Sequence, residues 1–318
     1  MEPLRVGIIG TGLAAQRLHL PALLKLKDLF SLSACASRSE ASARAFALKA
    51  GLPVVEAEAE ALLQREDVDL VLLGLPIELN AHWALKALAC GKAVMSEKPL
   101  AATRSEGEAL CQAAQQEGAP LLLVAENCLF WPHMARAISL VKSGALGSVR
   151  LAVLHQAMDA RAGAWLTPWR AEPRFAGGLV LDCGVHWAAL LNAMFGDAAE
   201  VLARPSACDP ALPPIDTGAA LICYQGGPRV LWATTYSAAP AAEALLTVHG
   251  SEGSVAIFID RTDWRNAAGE LRVLTSAMDG YEAEWRHFHE AIRGRTPLAY
   301  SAVQALKDLD LTLRVCGQ

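Results

Sequence analysis

Near its start the chain reads Val6-Gly7-Ile8-Ile9-Gly10-Thr11-Gly12-Leu13-Ala14-Ala15, a G-x-G-x-x-A turn that joins an apolar run to a helix-forming stretch. Gly10 permits the tight turn, Gly12 lets a pyrophosphate approach the backbone, and the small Ala15 allows helix to pack closely on strand. The helix start then offers unpaired N–H groups and a partial positive charge to phosphates. The turn alone is a weak signal, but it stands at the head of a regular alternation. Apolar runs at Arg5 to Ile9, Ser31 to Ala36, Val68 to Leu75, Ala93 to Ser96 and Leu121 to Ala125 are separated by helix-forming stretches at Ala41 to Ala50, His82 to Cys90 and Arg104 to Glu117. That pattern predicts βαβ units in a parallel sheet. Runs that are apolar nearly throughout fit a sheet covered on both faces.

Beyond about residue 125 the character changes. A helix is expected over Pro132 to Ser143, ending at Gly144, where glycine suits a C-cap. Then β-rich runs come at short intervals (Val149 to Gln156, Ala219 to Tyr224, Arg229 to Tyr236, Ala244 to His249, Ser254 to Ile259), linked by turns such as Gln225-Gly226-Gly227-Pro228. These are antiparallel hairpin signals. Late helices are expected over Glu282 to Gly294 and Ala302 to Val315. With 318 residues the chain also exceeds the roughly 250 to 300 at which a single core stops growing. The expected fold is therefore α/β: a Rossmann dinucleotide-binding domain over 1–125, then an α+β domain over 126–318 with a large, mostly antiparallel open sheet. The last helix is expected to pack back on the first domain.

A net charge of −5 argues against a nucleic-acid partner, which would need a concentrated excess of Lys and Arg. No uninterrupted run of about 18 apolar residues predicts a membrane span, and Met1-Glu2-Pro3-Leu4-Arg5 does not open a signal peptide. A cytoplasmic protein is the expectation. The eight cysteines are scattered, without C-x-x-C pairs or His at metal spacing, so no metal site is expected.

The corner after the second apolar run separates NAD from NADP, because a carboxylate there accepts bonds from the ribose 2′-hydroxyl and repels a 2′-phosphate. Here the corner reads Ala36-Ser37-Arg38-Ser39, with no acid. Ser37 can donate a hydrogen bond and Arg38 brings a guanidinium able to bond and stack. NADP(H) is favoured, with NAD(H) still open; the bland alternative is that Arg38 is a solvated loop residue.

Three further segments, Leu75-Pro76-Ile77, Glu97-Lys98-Pro99-Leu100 and Gly177-Gly178-Leu179-Val180-Leu181-Asp182-Cys183-Gly184-Val185-His186, complete a set. With the glycine turn, in this order and spacing, the chain resembles the glucose-fructose oxidoreductase, inositol dehydrogenase and rhizopine catabolism (Gfo/Idh/MocA) family over nearly its whole length. The resemblance implies NAD(P)-dependent hydride transfer on a CH–OH group of a sugar, cyclitol or related polyol. It also implies a homodimer or homotetramer built through the C-terminal sheet. By the same resemblance Lys98, Asp182 and His186 carry the chemistry. An imidazole titrating near neutrality suits a base for the hydroxyl proton. Asp182 and His186, four apart, share a face on a helix opening near Asp182. Lys98 is able to bond the reacting oxygen and stabilise charge developing on it. His186 is read as general acid/base, Lys98 as its electrostatic partner, and Asp182 as the substrate-orienting carboxylate. The alternatives are a helix N-cap for Asp182 and a core histidine beside Trp187 for His186.

Gly10, Thr11, Gly12, Leu13, Ala14, Ser37, Arg38, Pro76, Glu97 and Lys98 are the candidate cofactor contacts. Asn127, Trp165, Trp169 and Arg170 are the candidate substrate contacts, and His19 is structural or cofactor-adjacent at most. Two departures from the family pattern stand out: Ile77 where a polar residue is common after the proline, and Leu179 where a third glycine is common. The rival readings are a non-catalytic dinucleotide- or sugar-binding regulator that kept the fold, and an oxidoreductase with permanently bound cofactor. Substrate choice is assigned to loops around Ala160 to Arg174 and Ala207 to Asp216.

Overall fold

The computed structural model describes residues 2–162, 166–240, 243–276 and 279–318. Its chain divides into two compact units, residues 1–127 with 281–306 and residues 128–280 with 307–318.

The first unit holds a six-stranded parallel sheet: β1 (Leu4–Ile9), β2 (Phe30–Ala36), β3 (Val54–Glu56), β4 (Leu70–Leu73), β5 (Ala93–Glu97) and β6 (Leu122–Ala125), in the order β3-β2-β1-β4-β5-β6. Between them run α1 (Leu20–Lys25), α2 (Glu40–Ala50), α3 (Ala59–Leu63), α4 (Ile77–Ala89) and α5 (Arg104–Ala114). β4 and β6 are buried at every residue, as a sheet covered on both faces requires. The strand order reverses between β1 and β4, which is where open α/β sheets bind ligands outside their carboxyl ends. Several local expectations change. The stretch after the glycine turn opens with a π-helical turn at Ala15–His19 before α1 begins. β3 and α3 carry no strong periodic signal, being three and five residues long. α4 begins at Ile77, directly after Pro76, whose fixed φ of −58° suits the position before a helix.

The second unit contains α6 (Pro132–Lys142), α7 (Pro168–Ala171), α8 (Gly178–Phe195) and strands β7 (Val149–Ala157), β8 (Ala198–Ala203), β9 (Thr217–Tyr224), β10 (Arg229–Thr235), β11 (Leu246–Gly250), β12 (Ser254–Ile257), β13 (Arg261–Arg265) and β14 (Leu271–Thr275). They form one sheet in the order β14-β13-β12-β11-β7-β10-β9-β8, antiparallel except for the parallel pair β7 and β10. α6 and α8 pack on one face. The opposite face is open along β10, where Val230, Trp232 and Thr234 are buried while Arg229, Leu231 and Ala233 are exposed. α8 is 18 residues long and apolar enough by length and composition to cross a bilayer, although Asp182 and His186 interrupt its apolar run. It is a core helix, 72% buried inside the protein.

Two helices close the chain, α9 (Gly280–Ile292) and α10 (Ala302–Val315). The helix returned to the first unit is α9, with the start of α10, rather than the last helix as a whole. The physical reason is aromatic burial: Trp285 of α9 is fully buried, edge-on to Phe30 of β2 at 5.1 Å and to His19 at 5.9 Å.

Candidate active site

In the first unit the candidate cofactor residues collect at one edge of the sheet because each lies at or just past the carboxyl end of a strand: Gly10 to Ala14 after β1, Ser37 and Arg38 after β2, Pro76 after β4, and Glu97 with Lys98 at the end of β5. The glycines of the turn have separable reasons to be glycine. Gly10 has φ +89°, and a Cβ there would run into the carbonyl oxygen of Gly74. Gly12 has an ordinary φ, and the nearest protein atom to a Cβ placed on it is 3.8 Å away. Gly10 is thus required by the protein's own backbone, whereas nothing in this unit forbids a side chain at Gly12. That is the cradle a pyrophosphate fits. The Thr11 side chain faces inward, 2.8 Å from the Ser42 hydroxyl, and so ties the turn to the first turn of α2. The N-cap of α2 is Ser39, which accepts from the Ser42 N–H. Arg38 is exposed and has no ion-pair partner among the described residues, while the nearby Glu40 is occupied by Arg44 on the same helix.

The Glu97-Lys98-Pro99 segment is held from two sides. Asn80 of α4, fully buried, donates from Nδ2 to the carbonyls of Glu97 (2.9 Å) and Pro99 (3.0 Å). Glu97 uses its own carboxylate locally, with Oε1 2.9 Å from His19 Nε2 and Oε2 accepting the Lys98 N–H at 3.2 Å. Glu97 therefore braces the segment rather than presenting an open carboxylate. Asn80 is not among the expected site residues, because an Asn inside a helix pattern gives no sign that its amide will bridge a turn on another element. Lys98 is half-buried at the strand end, and Asn127 starts a 3-10 turn just past β6.

In the second unit Asp182 and His186 lie one turn apart on α8. The helix opens at Gly178 with Gly177 as its cap in the left-handed region, so Asp182 is inside the helix and is not its N-cap. Gly177 and Gly178 both have positive φ, +96° and +49°, which gives the glycine pair its physical reason. His186 is half-buried, while its neighbour Trp187 is buried and donates to Gln156 Oε1 at 2.8 Å. Tyr236 also donates to that oxygen, at 3.2 Å. Burial, then the neighbouring Cys183 and Asp182, push the Tyr236 hydroxyl well above its ordinary range, so it stays a neutral phenol under α8.

The Asp182 side chain is only 3% exposed, and its Oδ2 accepts from Arg170 Nε at 2.6 Å. Arg170 also stacks on Trp169, 4.1 Å from the ring centroid, and Trp169 leans on Phe175. The expected substrate-orienting carboxylate thus addresses a guanidinium, and the expected substrate residues Arg170 and Trp169 form one stack anchored by it. Trp165 lies outside the described residues. The two loops assigned to substrate choice are joined: Arg161 bonds Asp159 and reaches Asp209, while the buried Asp216 accepts the N–H groups of Cys208 and Asp209. His155, on β7, points to the open face of the sheet beside Glu243 and away from the core.

Residues 4–125 match the family described as "Oxidoreductase family, NAD-binding Rossmann fold", and residues 134–256 match the GFO/IDH/MocA C-terminal domain. The chain is 34% identical over 259 residues to dTDP-3,4-didehydro-2,6-dideoxy-alpha-D-glucose 3-reductase of Streptomyces violaceoruber, covering 81% of this chain and 73% of that one. An oxidoreductase from Thermotoga maritima shares the fold with a TM-score of 0.91 at 30% identity, over 99% of this chain and 96% of that one. Levoglucosan dehydrogenase, solved with NADH and levoglucosan, shares the fold alone: TM-score 0.89 at 20% identity, over 99% and 98% of the two chains.

Proposed function

The chain belongs to the Gfo/Idh/MocA oxidoreductase family, and from that premise we propose that it transfers hydride between a nicotinamide dinucleotide and a secondary alcohol or carbonyl of a sugar, cyclitol or related polyol. The observation that carries the reading is the set of family residues at the carboxyl edge of a six-stranded sheet, at its switch point, with Gly12 open to a ligand and Gly10 closed by backbone. A relative that reduces a dTDP-linked keto sugar supports a sugar-like substrate.

Gly10 to Ala14 would hold the pyrophosphate of a dinucleotide, whose nicotinamide would supply or accept the hydride. His186 takes the hydroxyl proton in the oxidative direction and returns it in the reductive one. Lys98 donates to the reacting oxygen and offsets the charge that develops there. Asp182 acts on the substrate side through Arg170, whose guanidinium it orients while fixing the Trp169 stack. NADP(H) is the favoured dinucleotide, because the exposed Arg38 is available to a 2′-phosphate at a corner that carries no acid.

The active form is an assembly of copies of this chain, paired through the open face of the second unit's sheet. Across that face the register aligns Leu202, Leu221, Leu231 and Val153 on four neighbouring strands, and Thr247, Ala256 and Asp263 stand between Val153 and Val273 on the far edge. Leu202, Leu231 and Val273 are 55%, 45% and 53% exposed. The exposed apolar residues on β8 and β10, in line with Leu221 and Val153, support that face as the interaction surface. The function is tested by turnover of a sugar and cyclitol panel with NADPH and NADH, set beside a Lys98→Ala/His186→Ala double variant. Turnover lost in the variant with dinucleotide binding retained supports the assignment. Turnover that survives in the variant overturns it.

A further inference from the structure

Three carboxyls of the first unit, Glu97 on β5, Glu126 just past β6 and Glu284 on α9, are buried together with His19. Their hydrogen bonds fix how charge is distributed among them. The Trp285 indole N–H, which is only a donor, is 3.1 Å from His19 Nδ1, so Nδ1 must accept. Nε2 then carries the ring's single proton and donates it to Glu97 Oε1. The imidazole is consequently neutral and brings no positive charge to the cluster. Glu97 is well supplied as an anion, by His19 on one oxygen and by the Lys98 N–H on the other. Glu284 has the opposite environment: it is fully buried, and neither oxygen meets a hydrogen-bond donor among the described residues. A bare carboxylate in that position would be unsolvated and would repel two other acids.

We propose that Glu284 is a proton-holding positioning residue: as a neutral carboxylic acid it leaves the charge on Glu97, which bonds the Lys98 N–H and sets the Glu97-Lys98-Pro99 segment at the dinucleotide edge. Its role in dinucleotide binding rests on the hydride-transfer reading above, while its protonation does not. Burial first, then Glu97 and Glu126, push the carboxyl well above the ordinary carboxylate range. The charged groups that act on it are those two acids, from the carboxyl ends of β5 and β6. On its own helix, Glu282 is engaged by Lys25 and by Arg286. Loss of the proton would place a further negative charge beside Glu97 and Glu126, loosening the Glu97-Lys98-Pro99 segment and, through it, the ligand.

This retained proton gives stability a definite sign with pH. Above the ordinary carboxylate range the unfolded chain releases the proton and the folded chain keeps it, so the native protein loses stability as pH rises until Glu284 itself ionises. Glu284→Gln, which matches the neutral acid in shape, removes that dependence.

The test compares wild type with Glu284→Gln in three readouts. Infrared spectra are expected to show the C=O stretch of an un-ionised carboxylic acid at pH 7 in wild type, and the difference spectrum is expected to lose it in the variant. Thermal melts are expected to converge near pH 4 and to favour the variant increasingly up to pH 8. NADPH titrations are expected to weaken with alkaline pH in wild type, by up to about tenfold per pH unit once Glu284 ionises, and to stay flatter in the variant. Absence of the infrared band, or its persistence in the variant, overturns the proposal. Identical pH dependence of NADPH binding in the two proteins overturns the positioning role. If neither protein binds a dinucleotide, the proposed function fails, and the band and the melts still decide whether Glu284 holds the proton.

Discussion

The two units present their candidate chemistry in different ways. In the first, the residues cluster at the carboxyl ends of β1, β2, β4 and β5, and much of what they offer is backbone: glycines, amides and the start of a helix. In the second, Asp182 and His186 sit inside the 18-residue helix α8, and what Asp182 can do depends on a side chain arriving from elsewhere, Arg170 from α7. A backbone site is encoded locally, whereas a side-chain site depends on tertiary partners. Substitutions should therefore separate cleanly in the first unit and spread in the second.

The largest effect is expected at the glycine turn, and it divides that turn in two. Gly12→Val fills space open to a ligand, so NADPH affinity is expected to fall at least 100-fold while the melting temperature holds. Gly10→Ala, at φ +89° and against the Gly74 carbonyl, is expected to lower stability by about 2 kcal/mol or more, visible in denaturant unfolding. If the two variants behave alike, the separation is broken.

Arg170→Ala should show the opposite behaviour, one change harming both activity and fold. It strands the buried Asp182 carboxylate, and breaking such a pair costs about 3 kcal/mol. Turnover is expected to drop by at least tenfold, and Arg170→Lys, which lacks the planar fork, to recover little of it. Urea unfolding and steady-state rates measured on the same preparations check both halves. Full activity in Arg170→Ala would remove Asp182 from the substrate side altogether.

Leu231→Asp puts a charge in the middle of the open sheet face and is expected to dissociate the assembly in sedimentation measurements, with little change in the stability of the single chain. The smallest effect belongs to Arg38→Ala. A single charge-assisted contact contributes about 1.5 to 3 kcal/mol, so NADPH binding should weaken by roughly tenfold or more while NADH binding stays the same. Equal losses for both dinucleotides would reassign Arg38 to the adenosine face common to both.

The same contrast governs how much the sequence discloses. Gly10, Gly12, Ser37 and Arg38 are recognisable because strand-turn-helix chemistry puts each at a fixed offset from an apolar run, and Pro76 and Lys98 through the family motifs that hold them. The sheet of the second unit is legible in outline, yet the parallel pairing of β7 with β10 and the strands β8, β13 and β14 are not, since pairing partners are chosen by packing. The locations of Asp182 and His186 are legible through their motif. The engagement of Asp182 by Arg170 is not, because a twelve-residue separation across a loop has no periodicity. Asn80 and Glu284 are hidden for the same reason: each is an ordinary helical residue until the fold brings the Glu97-Lys98-Pro99 segment to one and two buried acids to the other.

The central claim is that the first unit binds a nicotinamide dinucleotide at its glycine turn. It is tested most directly by titrating the desalted protein with NADPH, following nicotinamide fluorescence, in wild type and in Gly12→Val. Saturable binding by wild type, lost in a variant that melts at the same temperature, is the predicted result. No binding by wild type, or equal binding by both proteins, would contradict it.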